Sequence, residues 1–315
     1  MIAAILREIA AYDTIILHRH SQPDGDALGS QIGLKHIIRE NWPQKTVYMV
    51  GDAAGRYGFM RDSVMDKVPD EAYTDALAII LDTSARALIS DERYSLAKHT
   101  ARIDHHLFVE KIAETEVTDS SFESCCGLVT TMAMEGGLRM PQIAAESLFT
   151  GMVTDSGRFR YDATTARTYR LAAYLMEQPI DTNALYRNLY ASDWNTVKLR
   201  ASFMQKMQRT PHGAAYVYTT REEMQELKAD EFSISRGMVS VMGDIRGVDV
   251  WVNFTETDHG VLCELRSTEQ NINPIAVKYG GGGHTKASGA TVPDRKTAMQ
   301  MLNDLDQLAG ETYGK

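Results

Sequence analysis

Apolar and polar positions change period along this chain, and each change marks an element. Thr14-Ile15-Ile16-Leu17 is a short continuous apolar run, the pattern of a buried strand. A polar, turn-rich stretch follows, then a helix in which Leu34, Ile37 and Ile38 share one face. Residues 46–50 and the run LAIIL at Leu77–Leu81 predict further buried strands, and Ala101-Arg102-Ile103 predicts a shorter one. Strands alternating with helical patterns imply a βαβ architecture around a mostly parallel sheet. The apolar run at 143–153 is rich in alanine and long for a strand, so it reads as a helix. The opening MIAAILREIAAYD carries Arg7 and Glu8 and lacks a cleavage site, so it reads as an amphipathic helix and not as a signal peptide.

From 181 to 208 the pattern stays helical and polar, and Pro211-His212-Gly213 then interrupts it. Beyond that point a strand is expected at 214–219, a helix at 221–228 and a strand at 248–255, where Val248, Val250, Val252 and Phe254 alternate with other residues. Asp258-His259-Gly260 turns this strand into its neighbour at 261–267, which makes a hairpin. A last helix has Ala298, Leu302, Leu305 and Leu308 at helical spacing. The expected class is therefore α/β. An N-terminal domain (residues 1–185) with a mostly parallel sheet is followed by a helical linker (186–210) and a smaller C-terminal α/β domain (211–315).

Length and charge narrow the functions. A chain of 315 residues is comfortable for two cores. The net charge of −9 argues against coating long nucleic acid, because phosphate neutralisation by basic groups supplies most of such affinity. It leaves room for a small phosphorylated substrate held by a local cationic pocket or a bound metal. No apolar run approaches the roughly 18 residues needed to cross a membrane. Only three cysteines occur, and Cys125 and Cys126 are adjacent, so no disulfide framework is expected and the cytoplasm is the expected compartment.

The chemistry is concentrated at the ends of the apolar runs. His20-Ser-Gln-Pro-Asp24-Gly-Asp26 follows the first strand, where ligand sites of open α/β sheets collect. Alone, it reads equally well as an Asx-rich turn entering a helix. The pattern recurs, however: Asp82 ends LAIIL, Asp104-His105-His106 ends Ala-Arg-Ile, and Asp155 ends a third apolar stretch. Carboxylates gathered at one sheet edge repel one another unless cations lie between them. Oxygen-rich ligation with some imidazole suits Mn²⁺, with Mg²⁺ as the alternative, and the number of ligands suits two ions.

At these residues the sequence resembles the DHH phosphoesterase family. His20-x-x-Pro-Asp24-x-Asp26 matches its first motif, Asp82 its second, Asp104-His105-His106 its third and Asp155 its fourth. Arg266-Ser267 and the glycines at 280–283 followed by His284 resemble the companion DHHA1 domain, and the layout is that of the nanoRNase group. The resemblance implies one Mn²⁺ on His20, Asp24 and Asp82, and a second on Asp26, Asp82, His105 and Asp155, with Asp82 bridging. It implies that His106, with Asp104 beside it, serves catalysis at the scissile phosphate, and that the metals activate a water and clamp the phosphate oxygens. Ser156 departs from the threonine usual after the fourth aspartate but keeps the hydroxyl. His18 is off the motif and is expected to be structural.

Gly281, Gly282, Gly283 and His284, with Ser267 and Arg266, are the expected substrate groups. Glycines admit a ligand close to the backbone, and Arg266 offers a bidentate phosphate clamp, with Lys278 and Lys286 nearby. Catalysis is expected in a cleft between the two domains. The expected partners are short oligoribonucleotides or nucleotide phosphates such as 3′-phosphoadenosine 5′-phosphate (pAp), not long duplexes or membranes, with monomer and dimer both left open. A pyrophosphatase or exopolyphosphatase, a linear or cyclic dinucleotide phosphodiesterase, and a non-catalytic nucleotide-binding protein are the alternatives.

Overall fold

The structure, a computed structural model, describes residues 2–313. The chain divides into two compact units, Met1–Ala191 and Ser192–Lys315.

In the first unit a helix, α1 (Ile2–Ala11), precedes β1 (Thr14–His18), α2 (Gly25–Asn41), β2 (Thr46–Met49), β3 (Leu77–Leu81), β4 (His99–Asp104) and β5 (Thr115–Thr118). Four helices follow: α3 (Cys125–Glu135), α4 (Gln142–Asp155), α5 (Ala166–Leu175) and α6 (Thr182–Tyr190). The five strands form an all-parallel sheet in the order β2-β1-β3-β4-β5; the parallel sheet agrees with the sequence reading, while β5 and the strand order are added by the structure. Every residue of β3 is buried, the consequence of covering both faces of a parallel sheet. Alternate side chains serve different cores. Ile15, Leu17, Leu77, Ile79 and Leu81 join the large helical core, while Ile16 and Ile80 pack into smaller clusters under short turns. The strand order reverses direction between β1 and β3, and the crevice outside the C-terminal ends of those strands is where such sheets bind ligands.

Helices α2 and α4 approach so closely that α2 has no room for a side chain at three positions facing α4. A Cβ on Gly25 would lie 2.4 Å from the Thr154 hydroxyl, one on Gly29 2.5 Å from the Ser147 carbonyl, and one on Gly33 2.6 Å from Leu148. These glycines recur every fourth residue and form one stripe. The stripe sets Asp155, the last residue of α4, over the start of α2. The Ser147 carbonyl is backbone and cannot swing aside, so Gly29→Val should force the helices apart. A cost of about 1–3 kcal/mol is expected for such overpacking. A shifted urea midpoint at unchanged slope would register it, and a wild-type midpoint would refute the packing argument.

The second unit holds α7 (Trp194–Gln205), β6 (Gln208–Arg209), β7 (Ala215–Thr219), α8 (Arg221–Leu227) and α9 (Glu231–Val239). Then come β8 (Val250–Thr257), β9 (Gly260–Ser267), α10 (Asn273–Lys278), β10 (Gly282–Gly283), β11 (Ala287–Val292) and α11 (Arg295–Tyr313). Its sheet, β10-β11-β9-β8-β7-β6, is mixed: only β7 and β8 run parallel. Val250, Val252 and Phe254 face one core and Trp251 the other, so the alternation read from the sequence separates two apolar layers. The hairpin turning at Asp258 and His259 is present. Among the described residues no helix is long and apolar enough to cross a membrane.

Candidate active site

The loop after β1 carries His20 and is held from below by Arg19, a fully buried residue that the sequence patterns do not single out. Arg19 donates to Gln31 Oε1 (3.0 Å), to the His20 carbonyl (3.1 Å) and to the Asp52 carbonyl. Asp24 then caps α2, accepting from the amides of Asp26 and Ala27 at 2.9 and 3.0 Å. That cap starts the helix with Asp26 in its first turn. Asp82 follows β3 with φ +49°, a left-handed conformation tolerated by aspartate and concentrated at functional sites.

Not all the acids come from the sheet edge, contrary to the sequence reading. Asp26 stands on α2 and Asp155 ends α4, so two of the carboxylates are delivered by the glycine-packed helices. Asp26 is also an anchor. Its Oδ2 and Oδ1 accept the amides of Cys125 (2.7 Å) and Cys126 (2.8 Å) at the start of α3. Cys125 and Cys126 are fully buried, and burial pushes both thiols well above their ordinary range.

The two groups of residues expected to bind cations converge on Asp82. His20 Nε2 lies 3.9 Å from Asp24 Oδ1 and 3.5 Å from Asp82 Oδ2. His105 Nε2 lies 3.4 Å from Asp82 Oδ1, 3.3 Å from Asp155 Oδ2 and 3.8 Å from Asp26 Oδ2. In His20, Asp24 and Asp82, and again in Asp26, His105 and Asp155, one ligand atom per residue falls within 4.8 Å of the others. Each imidazole is also set in the ligating tautomer. His20 Nδ1–H donates to the Ser21 carbonyl (2.8 Å) and His105 Nδ1–H to the Phe122 carbonyl (3.3 Å), leaving each Nε2 directed at the carboxylates.

The charge balance fits a cation centre. Asp82 is 2 % exposed, and its Oδ1 has no hydrogen-bond partner. Burial works against the charged form of Asp82, but the His105 and His20 imidazoles facing it hold it well below the usual carboxylate range. Burial and the charge of Asp82 push Asp26 the other way. Burial also raises Asp155, to about 7. Burial lowers and the facing carboxylates raise His20 and His105, with the second effect winning, to about 10 for each. Without metal, protons on the imidazoles compensate the carboxylates; divalent cations would replace them.

His106 sits differently. Its Nδ1–H donates to Asp104 Oδ1 at 2.6 Å, and its side chain is 44 % exposed. The hydrogen bond to Asp104 raises its affinity for a proton. Asp104 is fully buried and is paired on its other oxygen with Arg102. Ser156 donates to the Met152 carbonyl (2.5 Å) and accepts from the Phe159 amide (2.9 Å), so its hydroxyl closes the end of α4. His18 is fully buried between Tyr73 and Tyr94, and burial lowers it to about 4.

In the second unit, Arg266 donates to Glu264 Oε2 (3.1 Å) and to the Leu265 carbonyl (2.8 Å), while Arg236 donates to Glu264 Oε1 (3.0 Å). Ser267 donates its hydroxyl to the Gln270 carbonyl (2.6 Å). The glycine run has a folding reason of its own. A Cβ on Gly281 would meet the Gly289 carbonyl at 2.1 Å, and Gly283 has φ +132°. The amides of Gly280 and Gly281 close the end of α10 on Val277 and Ala276, so these two donors are spent within the fold. Gly282 pairs with Gly289, His284 is exposed, and Lys278, counted among the anion-binding groups above, is paired with Asp304 (2.7 Å).

Comparison with known proteins gives the following likenesses. The model of the DHH family, N-terminal domain, matches residues 14–152, and that of the DHHA1 domain matches residues 215–311. The bifunctional oligoribonuclease and PAP phosphatase NrnA of Bacillus subtilis (strain 168) is 35% identical over 310 residues, covering 98% of both chains. The probable bifunctional oligoribonuclease and PAP phosphatase NrnA of Streptococcus mutans is 37% identical over 305 residues, covering 96% of this chain and 97% of the relative. The crystal structure of an exopolyphosphatase-related protein from Bacteroides fragilis shares the fold, with a TM-score of 0.85 at 24% identity over 100% of this chain and 97% of that one.

Proposed function

The chain belongs to the DHH family and carries a DHHA1 domain, and from that premise we propose that it is a metal-dependent hydrolase of short oligoribonucleotides that also removes a phosphate from pAp. The observation that carries the reading is that Asp82 faces both His20 and His105, one from each of two clusters of potential ligands. His20, Asp24 and Asp82 would hold one cation, and Asp26, Asp82, His105 and Asp155 the other, Mn²⁺ suiting this oxygen-rich set with imidazole. When bound, the ions supply an activated water and neutralise the phosphate's non-bridging oxygens.

His106 supplies the proton. With Nδ1 tied to Asp104, its Nε2 is left for substrate. The water oxygen forms the new P–O bond as the ester P–O bond breaks. The departing ester oxygen takes the proton of His106 Nε2, and the proton lost by the water passes to solvent, from which His106 recharges. The relatives named for this double activity support the choice of substrate class. The test is Mn²⁺-dependent product analysis on a diribonucleotide, a long single strand, pAp and pyrophosphate. Release from pyrophosphate alone would overturn the reading.

A preference for short strands should appear as faster turnover of the diribonucleotide. Its binding should depend weakly on salt, with a log–log slope of about −0.7 to −1.4 for one or two neutralised phosphates on a single strand. Equal turnover of the long strand would contradict this.

In the second unit, Arg266, Ser267, Gly281, Gly282, Gly283 and His284 are proposed to bind the nucleotide portion. Arg266 must partly exchange Glu264 for the ligand. Arg266→Ala should therefore raise KM by roughly tenfold, the lower end of a charge-assisted hydrogen bond, and leave kcat nearly intact. An unchanged KM would remove Arg266 from the set.

A further inference from the structure

Arg102 occupies a place that neither the motifs nor the ligand set explains. It lies two residues before Asp104 on β4, so both side chains leave the same face of the strand. Both are fully buried, an expensive arrangement for charges unless each is paired and hydrogen-bonded. One arm of the guanidinium, Nη2, meets Asp104 Oδ2. The other, Nη1, donates to the Glu110 carbonyl at 3.0 Å and lies 3.7 Å from Glu116 Oε1. Glu116 Oε1 in turn accepts the amides of Ile112 (2.7 Å) and Ala113 (3.0 Å). One buried cation therefore grips both ends of the loop that begins at His105 and His106. Asp104 has one oxygen on Arg102 and the other on His106.

We infer that Arg102 is a positioning residue that fixes the proton-donating orientation of His106 through Asp104 and through the loop ending at Glu110. The inference rests on the reading of His106 as proton donor given above. An Asp104 freed from Arg102 has no other cation across from His106 in this chain of contacts, and its carboxylate can rotate. The His106 ring then loses its fixed direction, although the residues of the two ligand groups keep theirs.

Leaving-group dependence separates this role from a merely structural one. Ribose oxygen is a poor leaving group that needs a proton, whereas p-nitrophenolate departs without one. The Mn²⁺-loaded full chain and its variants are assayed on a diribonucleotide and on bis(p-nitrophenyl) phosphate, with metal content and melting curves checked first. Positioned acids contribute about 10²–10⁴-fold, so loss of orientation in Arg102→Met should lower kcat on the diribonucleotide by roughly ten- to a hundred-fold. KM should stay near wild type, and the aryl diester should lose much less. Arg102→Lys keeps the charge without the two-armed grip and should show a smaller loss of the same selectivity; it carries the test if Arg102→Met does not fold. In the metal-free protein the downfield proton signal of the His106 Nδ1–H···Asp104 bond should weaken in Arg102→Met. Equal losses on both substrates, no loss, or an unaltered proton signal overturns the inference. His106→Ala is the control for the underlying reading. If it is not selective either, the proton-donor role itself fails; if it is selective and the Arg102 variants are not, only the inference fails.

Discussion

Asp82→Asn should abolish nearly all turnover while leaving the fold in place. Asp82 is the residue that the two proposed ligand groups share, with Oδ2 3.5 Å from His20 Nε2 and Oδ1 3.4 Å from His105 Nε2. Asparagine keeps the volume and accepts the left-handed backbone at φ +49°, so the substitution removes charge and little else. Loss of a strong electrostatic element costs about 10³ in rate, roughly 4 kcal/mol, and a residue serving two ions should reach at least that. Elemental analysis should find bound Mn²⁺ falling together with kcat. Melting of the metal-free variant should stay within a few degrees of wild type, because about 1 kcal/mol moves Tm of a domain this size by roughly 2–4 °C. Retention of most Mn²⁺-dependent activity would contradict a two-metal site centred on Asp82.

Asp26→Ala should fail in a different way, by unfolding. Asp26 is 1 % exposed, and its carboxylate satisfies the first amides of α3 from a helix about a hundred residues earlier in the chain. Alanine leaves both amides buried without acceptors. Each such orphan costs about 1–3 kcal/mol, so a loss of roughly 2–6 kcal/mol is expected even without metal. Urea unfolding of the metal-free protein measures it directly. A midpoint equal to wild type would show that α3 does not depend on this carboxylate. The contrast between Asp82 and Asp26 follows from their partners: imidazole nitrogens for the first, imidazole and backbone amides for the second.

Much of the architecture is legible from local pattern, because period is a local property. LAIIL announces β3 to the residue, and the alternation of Val250, Val252 and Phe254 marks the hairpin strand. The helix at 143–153 is found as Gln142–Asp155. Other elements are not announced. Thr115–Thr118 is four residues long with one buried position, too short to show a period. Cys125–Glu135 contains β-branched residues and two adjacent cysteines, and it is a helix because Asp26 and Ser124 cap it.

By itself the sequence determined the α/β class, the order of the strongly patterned elements and the identity of the candidate ligands, since residue type and spacing along a strand end are readable without knowing what lies opposite. Only the tertiary structure decided which partners those residues meet. Arg102 and Arg19 look like ordinary charged residues until burial is known, and nothing local tells that Asp26 anchors α3 or that Glu264 holds Arg266. Gly25, Gly29 and Gly33 repeat visibly, but what they admit is another helix, and that helix carries Asp155 into the site. Contacts between residues distant in the chain depend on how whole elements pack, and packing is set by the sum of many side chains, so no short motif contains it.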